Sequence, residues 1–106
     1  MTVNPFISGT PNDNILTLSG AGITNNSGMV QRFVTAAGRN DNYSNLVFTN
    51  SASAGSSTRF TNVGADAPFT AGGVSGETSF YNTSTAANGV FINRGATYLA
   101  GYGGIH

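Results

Sequence analysis

Phe80-Tyr81-Asn82-Thr83-Ser84-Thr85-Ala86-Ala87-Asn88-Gly89-Val90-Phe91-Ile92-Asn93-Arg94-Gly95 is the stretch that points to a fold class. It has a counterpart in Phe48-Thr49-Asn50-Ser51-Ala52-Ser53-Ala54-Gly55-Ser56-Ser57-Thr58-Arg59-Phe60-Thr61-Asn62-Val63-Gly64. Both run aromatic-x-Asn, then small Ser, Thr and Ala residues, then a second aromatic-x-Asn-x-Gly. The step from Phe48 to Phe80 and the step from Phe60 to Phe91 differ by a single position. This is a degenerate internal repeat with one residue gained or lost.

Short apolar-alternating pieces surround it, separated by turn residues about 10–12 apart, which is the pattern of an all-β chain. Ile15-Leu16-Thr17-Leu18, Met29-Val30-Gln31-Arg32-Phe33-Val34-Thr35 and Asn45-Leu46-Val47-Phe48 are such pieces. Thr58-Arg59-Phe60, Pro68-Phe69-Thr70, Thr78-Ser79-Phe80, Val90-Phe91-Ile92 and Thr97-Tyr98-Leu99 continue them. No window carries helical apolar spacing free of Gly and Asn. A tripeptide of Phe or Ile, any residue, then Asn recurs at Ile23, Phe48, Phe60, Phe80 and Phe91. Recurrence of one tripeptide favours a repeat architecture in which equivalent positions stack. The expected fold is a right-handed parallel β-helix, a β-solenoid of three to four coils with a repeat of roughly 32 residues, read as three strands in each coil with two thinner coils per repeat as the alternative.

In that register Phe48, Phe60, Phe80 and Phe91 point inward. Asn50, Asn62, Asn82 and Asn93 sit at corners, where Asn tolerates left-handed geometry and bonds its own backbone. Asn50 over Asn82 and Asn62 over Asn93 would form amide ladders. The chain reads as a single domain. It has an N-terminal segment (1–14), irregular first coils (15–44), the clearest repeats (45–95) and a C-terminal coil or tail (96–106).

Composition narrows the function classes. Arg32, Arg39, Arg59 and Arg94 balance Asp13, Asp41, Asp66 and Glu77, and there is no lysine. Four scattered arginines argue against nucleic acid and against a polybasic membrane patch. No apolar run reaches the roughly 20 residues of a spanning helix, so no membrane insertion is expected. Without cysteine there is neither a disulfide framework nor a thiolate site. Met1-Thr2-Val3-Asn4-Pro5 lacks the charged and apolar regions of a signal peptide. Export by another route, or an excised segment, is then expected.

Leu16-Thr17-Leu18-Ser19-Gly20-Ala21-Gly22-Ile23-Thr24-Asn25-Asn26-Ser27-Gly28, Gln31-Arg32-Phe33-Val34 and the Phe80–Gly95 pattern resemble bacterial autotransporter-type passenger repeats. The resemblance spans residues 16–104. It implies right-handed parallel β-helices displayed on the bacterial cell surface, often as adhesin stalks.

Chemistry is sparse. His106 is the only imidazole and the last residue, and no Gly-x-Ser-x-Gly elbow is present. No zinc set can be assembled from one His and no Cys. Neither catalysis nor a cofactor is expected. Asp13, Asp41 and Asp66 are spaced near one coil and could act on a glycan as acid and base, with Tyr43 and Tyr81 as stacking platforms. Their Asn- and Gly-rich surroundings read more simply as turns. A hydroxyl row, Ser51-x-Ser53 beside Thr83-x-Thr85, suggests an ice-binding array only in outline.

The C-terminal segment (96–106) lacks the charges and prolines that usually blunt strand edges, and the N-terminal end carries Pro5 alone. The expectation is therefore an extracellular structural or adhesive module. It would stack end to end on copies of itself as a filament or stalk, with host or matrix glycans as possible partners. The alternative is a carbohydrate-binding or carbohydrate-cleaving β-helix.

Overall fold

The computed structural model describes residues 1–3, 14–36, 44–64, 75–95 and 104–105. Among the described residues run eight strands: β1 (Thr2–Val3), β2 (Asn14–Leu18), β3 (Gln31–Thr35), β4 (Ser44–Phe48), β5 (Thr58–Asn62), β6 (Glu77–Phe80), β7 (Val90–Asn93) and β8 (Gly104–Ile105). They form two sheets, ordered β1-β3-β5-β7 and β2-β4-β6-β8. Every pairing is parallel. Successive strands therefore alternate between sheets, and each described strand bonds to the one two places along.

Sequence alternation sets which side chains meet between the sheets. Phe33, Phe60 and Phe91 stack in the first sheet, with ring centroids 5.1 and 4.8 Å apart. Phe48 stacks on Phe80 at 4.9 Å in the second. The two stacks meet edge to face, Phe48 on Phe60 at 5.8 Å and Phe80 on Phe91 at 5.7 Å. Such geometry matches the positive ring edge to the negative ring face. Leu46, Ala52 and Ala54 complete the buried centre, flanked by Leu16, Leu18 and Ile23.

Among the described residues close approaches require glycine at Gly22, Gly55 and Gly76. Gly22, at φ 77°, lies against the Ser53 backbone, and a Cβ there would overlap the Ser53 carbonyl. At Gly76 a Cβ would overlap the Thr35 carbonyl. The turns after β4 and β6 place Asn50 and Asn82 at φ 56° and 58°, a region that Asn tolerates better than most residues.

The expected right-handed parallel β-helix of three-stranded coils is corrected. Among the described residues two extended strands separate equivalent positions, β4 and β5 coming before β6 pairs with β4. Ile23-Thr24-Asn25 lies outside the named strands. Asn25 closes a turn instead, its Oδ1 accepting from the Ser27 amide at 3.0 Å and its Nδ2 donating to the Met29 carbonyl at 2.8 Å. The expected strands at Phe69 and Tyr98 fall outside the described residues. The radius of gyration, 13.8 Å, is close to the ~13 Å of a compact domain of about 100 residues.

The fold is thus two small parallel sheets packed into a compact domain, not an autotransporter-type β-helix. The resemblance to autotransporter passenger repeats fails with the architecture it implied. So do the stalk and the adhesin-type solenoid, and the described strands give no evidence of a filament-forming module.

Candidate functional site

The same alternation that sends the phenylalanines inward sends a different set outward from the first sheet. In β3, Phe33 and Thr35 face the core while Arg32 and Val34 face out. In β5, Thr58, Phe60 and Asn62 are buried, whereas Arg59 is exposed and Thr61 half-buried. In β7, Val90 and Ile92 occupy the outward positions. Strand register turns these into rows: Arg32, Arg59 and Val90 in one, Val34, Thr61 and Ile92 in the next. Beyond β7 the Arg94 amide donates to the Asn62 carbonyl at 2.9 Å, which carries the ladder one residue further.

Two clefts open on this face. One, of about 450 Å³, is lined by Val30, Arg32, Ser57, Arg59, Asn88 and Val90, among others. The other, of about 220 Å³, is lined by Arg32, Val34, Arg59, Thr61, Ile92 and Arg94, among others. Arg32 and Arg59 belong to both, so the pair forms the saddle between them. Among the described residues no Asp or Glu lines either cleft.

This is an unusual charge arrangement for a neutral chain. The three arginines among the described residues share one face, and two stand directly opposite each other on neighbouring strands. Paired strands are about 4.8 Å apart, and like charges directly opposite destabilise a sheet. A guanidinium is always charged and presents a planar fork that fits carboxylate or phosphate oxygens. What the arrangement can do chemically is hold an anion across two forks.

The sequence-derived candidates lie elsewhere. Asn62 Nδ2 donates to Asn93 Oδ1 at 2.8 Å. Asn62 is fully buried, facing inward at the end of β5 rather than sitting at a corner. Asn50 and Asn82 do occupy turns, but they do not bond to each other. Asn50 Nδ2 donates to Ser19 Oγ at 2.8 Å and Asn82 Nδ2 to Thr49 Oγ1 at 3.0 Å. The register pairs Phe48 with Phe80 and Phe60 with Phe91.

Tyr81 is exposed just after β6 and lines neither cleft. Asp13, Asp41, Asp66 and Tyr43 lie outside the described residues. The hydroxyls of the small-residue row are engaged locally. Thr83 Oγ1 donates to the Asn50 carbonyl at 2.8 Å, while Ser53 Oγ accepts from the Gly55 amide at 3.0 Å. A row so occupied offers little to an ice lattice.

Reading the arginines as scattered missed this face. The available signal was the Arg-Phe dipeptide, present in both Gln31-Arg32-Phe33-Val34-Thr35 and Thr58-Arg59-Phe60-Thr61-Asn62. With each Phe inward, its preceding Arg must point out, and the alignment of the two pieces stacks the arginines. No family model, curated protein or solved structure matches the chain.

Proposed function

We propose that this domain is a binding module, not an enzyme, and that it holds an anionic ligand on the outer face of its first sheet. One observation carries the reading: Arg32 stands opposite Arg59 in strand register, and among the described residues no carboxylate lines the clefts beside them. An anion lying between the two guanidiniums relieves their repulsion and gains charge-assisted hydrogen bonds to both. The Asn88 amide and Ser57 hydroxyl beside the pair can orient its remaining oxygens.

The test is retention on an immobilised carboxylate polymer at low ionic strength. A chain of zero formal net charge binds such a matrix only through a patch. The wild type should be retained and elute with moderate salt, because exposed pairs are strongly screened. The R32Q/R59Q double variant should flow through while keeping the circular dichroism of the wild type. Equal retention of the two proteins overturns the reading.

A further inference from the structure

We infer that the ligand of this face is an acidic polysaccharide, a linear chain with carboxylates on its sugars, lying along the strand direction across both clefts. The inference rests on the anion-binding reading above and adds the class of ligand.

The geometry asks for a long ligand. The two clefts meet at Arg32 and Arg59, so together they make a trough and not two separate pits. Arg94 closes the far end of the trough. Its neighbour Asn93 pairs with Asn62, which sets Arg94 level with Val63, four residues beyond Arg59. At the rise of an extended strand that is about 13 Å. A ligand that satisfies both ends must repeat its negative charge along its length.

The walls select among polyanions. Val90 continues the arginine row on β7, with Val30 on one side of that row and Val34 and Ile92 on the other. These branched aliphatic surfaces suit the C–H faces of sugar rings. No aromatic side chain lines either cleft among the described residues. Stacking, the usual means of holding single-stranded bases, is therefore not offered here. With three arginines and no lysine the face is also too weakly charged to track a nucleic-acid backbone. An extended acidic peptide that joins a sheet adds as a strand at its edge, whereas this trough runs over the outward side chains of the sheet face.

Titration calorimetry with oligogalacturonates of increasing length tests the inference. Affinity should rise with length until the oligomer spans from Arg59 to Arg94, then level off. R94Q should remove that rise, about a 3- to 10-fold loss for the long oligomer, and leave the shortest unaffected. The R32Q/R59Q variant should lose binding at every length. Fully methyl-esterified oligomers bound as well as the free acids would overturn both this inference and the reading beneath it. Tighter binding of polyglutamate or of single-stranded DNA than of the uronates would overturn the polysaccharide assignment alone. So would an absence of any length dependence.

Discussion

Thr78 of the second sheet donates its hydroxyl to Asn62 Oδ1 of the first at 2.8 Å, a buried hydrogen bond that ties the two sheets together. The same oxygen accepts from Thr35 Oγ1 at 2.6 Å, and the Asn62 amide nitrogen donates to Asn93. One fully buried side chain thus satisfies three partners from three other strands. Asn62→Ala should destabilise the domain by about 3 kcal/mol, since buried polar groups left without partners cost about 1–3 kcal/mol each. Urea denaturation measures it. A loss below about 1 kcal/mol would show that the partners find other bonds.

Gly76 donates its amide to the Val63 carbonyl at 2.9 Å and lies against the Thr35 backbone. Gly76→Ala forces a methyl group onto a backbone carbonyl that the β3 ladder holds in place. The expected cost is at least the ~1–3 kcal/mol of overpacking. Gly95, where an added Cβ meets nothing within 4 Å, is the matched control. Gly95→Ala should change stability by less than about 0.5 kcal/mol. Similar midpoints for the two variants would refute the close approach.

Ala87 adopts φ 48°. A left-handed conformation costs a residue with a Cβ roughly 1–2 kcal/mol, and the greater freedom of glycine in the unfolded chain returns part of that. Ala87→Gly should therefore stabilise the domain by about 0.5–1 kcal/mol. A lower thermal midpoint for the variant would count against the turn geometry.

Arg59→Thr relieves the Arg32–Arg59 opposition and places a strand-favouring residue in β5. At low ionic strength the variant should gain a few tenths of a kcal/mol, at the lower end of cross-strand pair energies of about 0.2–1 kcal/mol. In roughly 1 M salt, where the screening length falls to about 3 Å, the charge part of the gain should vanish. Denaturation across a salt series reads both arms. A variant less stable than wild type at low salt would mean that the arginine stem contributes more by packing than its charge costs.

Residue spacing in the sequence made the strand partners legible but left the architecture open. The offsets that align Phe48 with Phe80 and Phe60 with Phe91 are ladder offsets. Alternation around Phe33, Phe48 and Phe60 also marked which side chains point inward. Counting Phe69 as a strand end beside Phe48 and Phe60 suggests three strands per repeat, and Ile23-Thr24-Asn25 resembles Phe60-Thr61-Asn62 in pattern although it lies outside the named strands. A single residue does not reveal whether its amide closes a turn, as Asn25 does, or enters a buried network, as Asn62 does. That depends on whether hydroxyls such as those of Thr35 and Thr78 converge on it, and these come from other strands. The arginine face was hidden for a related reason. Arg32 and Arg59 are remote from each other along the chain, and only the strand register makes them neighbours.

The parallel ladders also govern how this chain reaches its fold. No described strand pairs with its neighbour in sequence. Even Gln31 and Thr58, which meet at the start of β3 and β5, have the whole of β4 and its flanking loops between them. Asn45 and Glu77 are joined across a longer stretch still. A hairpin can form first and recruit the rest, but nothing of that kind is present among the described strands. The first ladder therefore has to close a long loop, at full entropic cost, before any hydrogen bond or ring contact rewards it. High contact order of this sort slows folding towards the millisecond-to-second range. During that interval the phenylalanine-bearing strands stand open to water and to one another, so a nascent or refolding chain meets its greatest risk of aggregation before the two ring stacks interlock.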